Sequence, residues 1–202
     1  MKNPALVVSA GLLSVAAVAS FSGNAYALGP LDLEIGAKAG VGTTPSNIPS
    51  GATNPLGFGL GARAGVSIMG FYGGGSIIYY FGGSENPPSV PGVSLPSISV
   101  HTLMYGVEGG YGMKLIDILT LRAQVGVGSY DINASGGGSS HDTSNLYVEP
   151  GVMAMITLPI VGWFVGADAN VLLLTGMPDQ NGNGTSTLDT AFTLHGQVGY
   201  TF

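Results

Sequence analysis

The stretch FTLHGQVGYTF, residues 192–202, ends the chain and decides the fold. Large apolar side chains occupy alternate positions, apart from one glycine: Phe192, Leu194, Val198, Tyr200 and Phe202. The intervening positions carry Thr193, His195, Gln197, Gly199 and Thr201. A period of two predicts a β-strand with two different faces. Because the terminus of a soluble domain is usually poorly ordered, this strand needs neighbours that hold it in place.

The same alternation recurs along the chain and predicts eight strands, at residues 31–41, 56–68, 71–81, 101–113, 119–130, 146–156, 163–174 and 192–202. Each segment has roughly the 9–11 residues that a tilted strand needs to cross a bilayer, or slightly more. Three connections are short, at Met69-Gly70, 114–117 and 159–162, and the four between them are long and polar. Short turns at one end and long loops at the other are typical of a membrane-spanning barrel.

The amino-acid composition also favours a membrane-spanning barrel. Charged residues make up only 8% of the chain, against about 25% in ordinary soluble domains, and there are 35 glycines. The chain has no cysteine, which excludes disulfides and thiolate metal sites. The net charge of −6 argues against a nucleic-acid partner, since such a partner requires a basic surface.

The first 27 residues are expected to be a cleavable signal peptide. Lys2 precedes an apolar run, and Ala25-Tyr26-Ala27 supplies a small-residue cleavage site. The alternative is a single membrane anchor, but the run is short for a span and contains Ser, Gly and Ala. The expected domains are therefore a signal peptide at 1–27 and a barrel at 28–202. Without Lys2, four basic residues oppose eleven acidic ones, which gives −7 for the second domain.

Over residues 28–202 the chain resembles the small eight-stranded bacterial outer-membrane barrels of the OmpA, OmpX and OmpW type. The resemblance implies an all-β, antiparallel, up-and-down transmembrane barrel with long loops extracellular and termini periplasmic. It also implies that Tyr200 and Phe202 belong to the signal read by the barrel-assembly machinery. A soluble sandwich or lipocalin-like barrel is the alternative, but neither face of the strands carries the charged side chains that contact with water would require.

Aromatic residues support this orientation. Phe71, Tyr111, Trp163, Tyr200 and Phe202 cluster near the short turns, and Phe58, Tyr79, Phe81, Tyr105 and Phe192 near the long loops. Two such girdles on the outward face predict contact with outer-membrane lipids at both interfaces.

The inward face carries the ionisable side chains. Alternation places nine of them in one lumen: Asp32, Glu34, Lys38, Arg63, Glu108, Arg122, Glu149, Asp168 and His195. Unpaired charges in a low-dielectric space are costly, so a network of ion pairs is expected. The network either sets the conductance of a narrow pore or only fills and neutralises the interior, because eight strands leave just enough room for side chains. Inward glycines leave volume that either water or four large side chains fill: Tyr72, Tyr80, Tyr130 and Phe164.

No catalytic residue, cofactor or metal site is expected. Ser139–Ser144 gathers Ser, His and Asp, but adjacency in a glycine-rich loop does not orient a triad. Asp179 begins a stretch like the first half of a calcium loop, yet Thr190 occupies the place of the bidentate Glu.

The sequence therefore leaves three functions open. The leading one is a structural or narrow-pore outer-membrane barrel, permeable to ions or small, even hydrophobic, solutes. The second is a binding or adhesion surface formed by the loops over a closed lumen. Here residues 86–100, with four prolines among Val, Leu and Ile, are candidates to contact an extracellular ligand. The third is a lipid-modifying enzyme.

Overall fold

The computed structural model describes residues 31–46, 48, 53–85, 97–136, 139–158, 161–177 and 187–202. Residues 1–27, the expected signal peptide, lie outside these ranges, as do residues 86–96 of the proline-rich segment. Among the described residues, no helix is long and apolar enough to cross a membrane.

The described chain forms one antiparallel sheet. Its strands are β1 (Leu31–Gly42), β2 (Phe58–Ile68), β3 (Phe71–Tyr80), β4 (Ser84–Glu85), β5 (Ile98–Ile116), β6 (Leu119–Gly136), β7 (Ser139–Thr157), β8 (Trp163–Met177) and β9 (Thr187–Thr201). Consecutive long strands are neighbours, with β3 paired to β5 because β4 is a two-residue strand on the outer end of β5. The first and last strands also pair, which closes the sheet. The predicted eight-stranded antiparallel up-and-down barrel is confirmed.

The alternation divides the side chains as predicted. Outward positions are apolar and exposed, among them Val107, Val152, Val165, Leu194 and Val198. Inward positions on the same strands are buried, and they carry the polar and aromatic side chains. The protein is therefore apolar outside and polar inside, the reverse of a soluble domain.

Of the short connections, the one at Met69-Gly70 is confirmed and the one after β5 is shifted. Met69 and Gly70 both have positive φ, 51° and 88°, as in the two-residue hairpin turns whose twist matches that of the strands. The turn expected at 114–117 lies instead at Asp117 and Ile118, because β5 continues to Ile116 through a register shift after Lys114.

The third long connection is not an irregular loop. Residues 131–136 and 139–145 continue β6 and β7 as a paired hairpin beyond the outer aromatic girdle. The outward face changes there from Val127 and Leu146 to Asp131, Asn133 and Asp142. Because this part leaves the apolar band, both faces of the hairpin tolerate polar residues, which concealed the strand in the sequence.

Two glycines provide space for an interior ring. Phe164 of β8 is buried against the backbone of β1 and β9. A Cβ on Gly199 would lie 2.5 Å from Phe164 Cζ and closer still to the carbonyl oxygen of Ile35, and one on Gly36 would lie 3.0 Å from Phe164 Cζ. The ring can occupy this part of the lumen only because both positions lack a side chain.

Replacing Gly199 should therefore destabilise the barrel. Gly199→Ala should lower the free energy of unfolding by about 1–3 kcal/mol, the usual cost of overpacking, measured by urea titration in phospholipid vesicles. Gly196→Ala is the matched control on the same strand, because its Cβ would meet nothing closer than 3.8 Å. Equal effects of the two substitutions would contradict the proposed packing.

Candidate functional site

Seven strands bring ionisable side chains into one interior. Glu34 and Lys38 come from β1, and the other strands supply Arg63, Glu108, Arg122, Glu149, Asp168 and His195. Within this set Glu34, Lys38, Arg63, Arg122, Asp168 and His195 are each at most 5% exposed. Asp32 differs, since its side chain is exposed at the short-turn rim.

The arginine cluster consists of Glu34, Arg63, Ser67, Tyr72 and Arg122. Arg122 makes a bidentate pair with Glu34, in which Nη1 donates to Oε2 at 3.0 Å and Nη2 donates to Oε1. Arg63 Nη2 donates to the same Oε2 at 3.3 Å, and Ser67 Oγ donates to Oε1 at 2.8 Å. The ring of Tyr72 lies 4.5 Å from the Arg63 guanidinium carbon and 4.1 Å from that of Arg122. Two cations thus share one carboxylate and one aromatic face.

The aspartate cluster, toward the long loops, is centred on Asp168. His195 Nδ1 lies 2.7 Å from Asp168 Oδ1, and His195 Nε2 lies 2.7 Å from the hydroxyl of Tyr80. Since a carboxylate only accepts, Nδ1 carries the proton, and in the neutral imidazole Nε2 accepts from Tyr80. Asn170 Nδ2 donates to Asp168 Oδ1 at 2.5 Å, and Gln197 Nε2 donates to Oδ2. Asp168 is thereby held by hydrogen bonds from Asn170 on its own strand and from His195 and Gln197 on β9.

Two cations connect the clusters. Lys38 Nζ lies 3.8 Å from Asp168 Oδ2 and 3.9 Å from Glu108 Oε1. Arg63 Nη1 donates to Gln197 Oε1 at 3.1 Å, and Arg63 Nε lies 3.9 Å from Glu108 Oε2. Glu149 joins through neutral groups, because Thr193 Oγ1 donates to it at 2.8 Å and Asn170 donates to Thr193 at 3.2 Å. The interior is one connected network rather than a set of separate pairs.

An apolar layer lies above the aspartate cluster, on the long-loop side. We call it the apolar cap, and all its members are at most 7% exposed: Leu56, Ile78, Tyr80, Met104, Tyr130, Tyr147, Leu172, Leu174 and Ala191. Six strands and the connection before β2 contribute side chains, so the layer crosses the lumen. The sequence did not reveal this cap, although Tyr80 and Tyr130 were among the side chains that, as an alternative to water, could fill interior space.

Leu56 was predicted to face lipid, and that prediction is wrong. The chain turns inward before β2 begins at Phe58, and Leu56 enters the barrel mouth. Asn54 holds the turn, since its Oδ1 accepts from Leu56 N and its Nδ2 donates to Gly42 O, both at 2.9 Å. Thr102 Oγ1 donates to Pro55 O at 2.9 Å. The Asn-Pro pair was the available signal that the strand had not yet begun.

A cavity of about 710 Å³ occupies the short-turn end of the lumen. Its lining includes Asp32, Ser67, Lys114, Asp117 and Thr201, and the Glu34–Arg122 pair forms part of its wall. The arginine cluster therefore faces an open polar vestibule, whereas the aspartate cluster lies beneath the apolar cap.

The aromatic side chains form contacts at both girdles. Phe71 packs against Tyr111 with ring centres 5.0 Å apart, and Trp163 packs against Tyr200 at 5.9 Å. At the other end Phe81 lies 6.2 Å from Phe58 and 5.0 Å from Tyr79. Tyr200 also contacts Phe202 at 4.7 Å, and Phe202 N donates to Leu33 O at 2.9 Å. The last residue thus extends the closing pair of strands.

The other candidate residues do not converge. On β7 the alternation places His141 on the face opposite Asp142 and Ser140, and His101 is stacked on Tyr79. Of the calcium-like stretch at 179–190, residues 179–186 lie outside the described part of the chain, and residues 187–190 belong to β9. Within the described residues, no group of three or more His, Cys, Asp or Glu side chains could hold a metal ion.

Comparison with known proteins places the fold. No family model matches the sequence, and no curated protein matches it. Neisserial surface protein A is similar in structure, with a TM-score of 0.57 and 11% identity over 86% of this chain and 98% of that one. A major outer membrane protein from Thermus thermophilus is also similar, with a TM-score of 0.51 and 12% identity over 85% of this chain and 99% of that one. The chain has the fold of small outer-membrane barrels. Because the sequence identity is low, the similarity shows the fold alone.

Removing one member of the arginine cluster should cost more than removing the pair. Arg122→Leu leaves the buried Glu34 carboxylate without its bidentate partner and should lower the free energy of unfolding by about 3–5 kcal/mol. Glu34→Leu combined with Arg122→Leu should recover at least half of that loss, since Arg63 retains Glu108. Urea unfolding in vesicles, followed by fluorescence of Trp163, the sole tryptophan, measures both. Lys114→Leu at the exposed rim is the control, and an Arg122→Leu effect as small as the control's would contradict the pairing.

Proposed function

We propose that the chain is a bacterial outer-membrane protein whose barrel is closed to ions and small solutes in its resting state. The fold of the outer-membrane neighbours, the apolar outward band and the two aromatic girdles support this location. The long connections lie outside the cell in this proposal, and both ends of the barrel chain lie in the periplasm. Tyr200 and Phe202, at the exposed end of the closing strand, address the barrel-assembly machinery.

The apolar cap carries the proposal of a closed lumen. An ion that passed the cap would lose its water against Leu56, Met104 and Leu172 without gaining a ligand, and burying an unpaired charge is very costly. The charged groups of the network below the cap already have partners within the network, through ion pairs and hydrogen bonds. We therefore assign the network a structural role, in which it fills the lumen and holds the strands together. Permeation would require displacement of both the apolar cap and the charged network beneath it.

Planar-bilayer recording of the refolded chain, residues 28–202, tests this directly. We expect no discrete channels from protein whose gel mobility still shifts on heating, the usual sign of a folded barrel. Channels whose conductance changes with Glu108→Gln or Arg122→Gln would instead place a narrow pore in the lumen. Channels unaffected by either substitution would equally contradict a resting barrel closed by the cap.

A second function, recognition at the cell surface, is favoured by the paired hairpin at residues 131–145. This hairpin extends the wall beyond the outer girdle and presents Asp131, Asn133 and Asp142 on its outer face. A folded barrel with this hairpin replaced by a two-residue turn would keep its closed lumen and lose any binding that depends on the hairpin.

A catalytic role is the least supported of the three. The Asp168–His195–Tyr80 chain is fully enclosed, with His195 1% and Tyr80 0% exposed, so a substrate has no approach to it. The accessible His141 has Asp142 on the opposite face of β7, and Glu149, on its own face, is eight residues away, roughly 26 Å along the strand.

A further inference from the structure

A groove crosses the outer wall of the barrel over β7, β8, β9 and β1. Its volume is about 640 Å³, and its outward lining includes Val41 of β1 together with Pro150, Val152, Ala169, Val171, Phe192 and Leu194. Ala169 is the smallest of these side chains and forms the floor. The described lining contains no Asp, Glu, Lys, Arg or His. A charged group would therefore find no partner within this groove, whereas an aliphatic chain would fit its size and composition.

The hydrogen-bond ladder beneath the groove is interrupted. Strands β7 and β8 pair at Val148↔Leu173 and again, in the same register, at Gly151↔Asn170, with no pair at Glu149 or Pro150. On the other side of β7 the ladder continues through Val125↔Pro150. Proline has no N–H, so the position facing β8 donates no bond. The shared register places Val171 opposite Pro150, and its carbonyl oxygen lacks the ladder donor.

This carbonyl lies within the apolar band. Thr175 is the first polar residue of β8 beyond the band, and Val171 precedes it by four residues, roughly 10 Å in depth for a tilted strand. Hydrocarbon supplies no donor at that depth, and an unpaired backbone group in lipid costs several kcal/mol. An occupant that combines an aliphatic chain with a donor part-way along it would satisfy both features of the site.

We propose that this groove binds a single fatty acyl chain that bears a hydroxyl group near its middle, whose O–H donates to the carbonyl of Val171. The inference rests on the proposed membrane location, because only lipid makes the missing donor costly. It does not depend on whether the lumen conducts.

Native mass spectrometry of the refolded barrel, released from detergent micelles, tests the site with two probes. These are 10-hydroxyoctadecanoic acid and octadecanoic acid, which differ only in the mid-chain hydroxyl. One molecule of the hydroxy acid should be retained, with about tenfold higher affinity than the plain acid, the size expected of one added hydrogen bond.

Three variants assign the binding to the groove. Pro150→Val restores an N–H opposite Val171, so the tenfold preference should disappear while the plain acid still binds. Ala169→Trp fills the floor and should abolish binding of both acids. Ala37→Trp is the matched control, an outward-facing exposed alanine on β1 that does not line the groove, and it should bind as the unmodified protein does. Heat-shifted gel mobility verifies that each variant is folded.

Equal retention of the two acids by the unmodified barrel would overturn the proposal. So would a preference that survives Pro150→Val, or binding that survives Ala169→Trp. A barrel that inserts into bilayers but retains neither acid would refute the groove site alone and leave the proposed location intact.

Discussion

The fold depends on the requirement that every backbone N–H and C=O within lipid be satisfied by the protein itself. An open sheet of eight strands would leave two unpaired edges in hydrocarbon. The pairing of β1 with β9, from Glu34↔Thr201 to Gly42↔Thr193, removes both edges. Because that closure fixes which face of every strand points inward, the composition of the lumen and of the lipid-facing surface follows from it. The interruption of the β7–β8 ladder at Pro150 leaves this requirement unmet by the ladder at one carbonyl within the apolar band, that of Val171.

Closure also determines the chemistry of the interior. Three cations, Lys38, Arg63 and Arg122, are enclosed with more carboxylates than they can neutralise singly, so each contacts two acidic groups or shares one. Neutral donors such as Ser67, Asn170, Thr193 and Gln197 complete the coordination of the carboxylates. Large aromatic rings fill the remaining space in the lumen, as Phe164 does where it packs against Gly36 and Gly199. The result is a lumen filled by side chains that are in contact with one another.

Much of this could be read from the sequence, because alternation is a local property. The eight strands, their lipid face and the two girdles follow from a period of two, and eight of the nine expected ionisable residues lie in the interior. Leu56 was assigned to the wrong face, since its inward turn depends on Asn54, Gly42 and Thr102, which alternation does not connect. The strand extension at 131–145 was hidden because hairpins in water need no apolar face. Asp32 has the inward parity but lies where the lumen has already opened to solvent.

The pairing of β1 with β9, which closes the barrel, can be tested most directly by cysteine cross-linking, since the chain has no cysteine of its own. Ala37 and Val198 are paired and both face outward. Ala37→Cys with Val198→Cys should form an intramolecular disulfide under mild oxidation of the membrane-inserted protein, visible as altered mobility of the denatured chain. Ala37→Cys with Gly196→Cys keeps the same face but is displaced by two residues, and it should cross-link poorly. Cross-linking of the displaced pair in preference to the first would mean another register. Failure of both pairs would contradict a closed barrel.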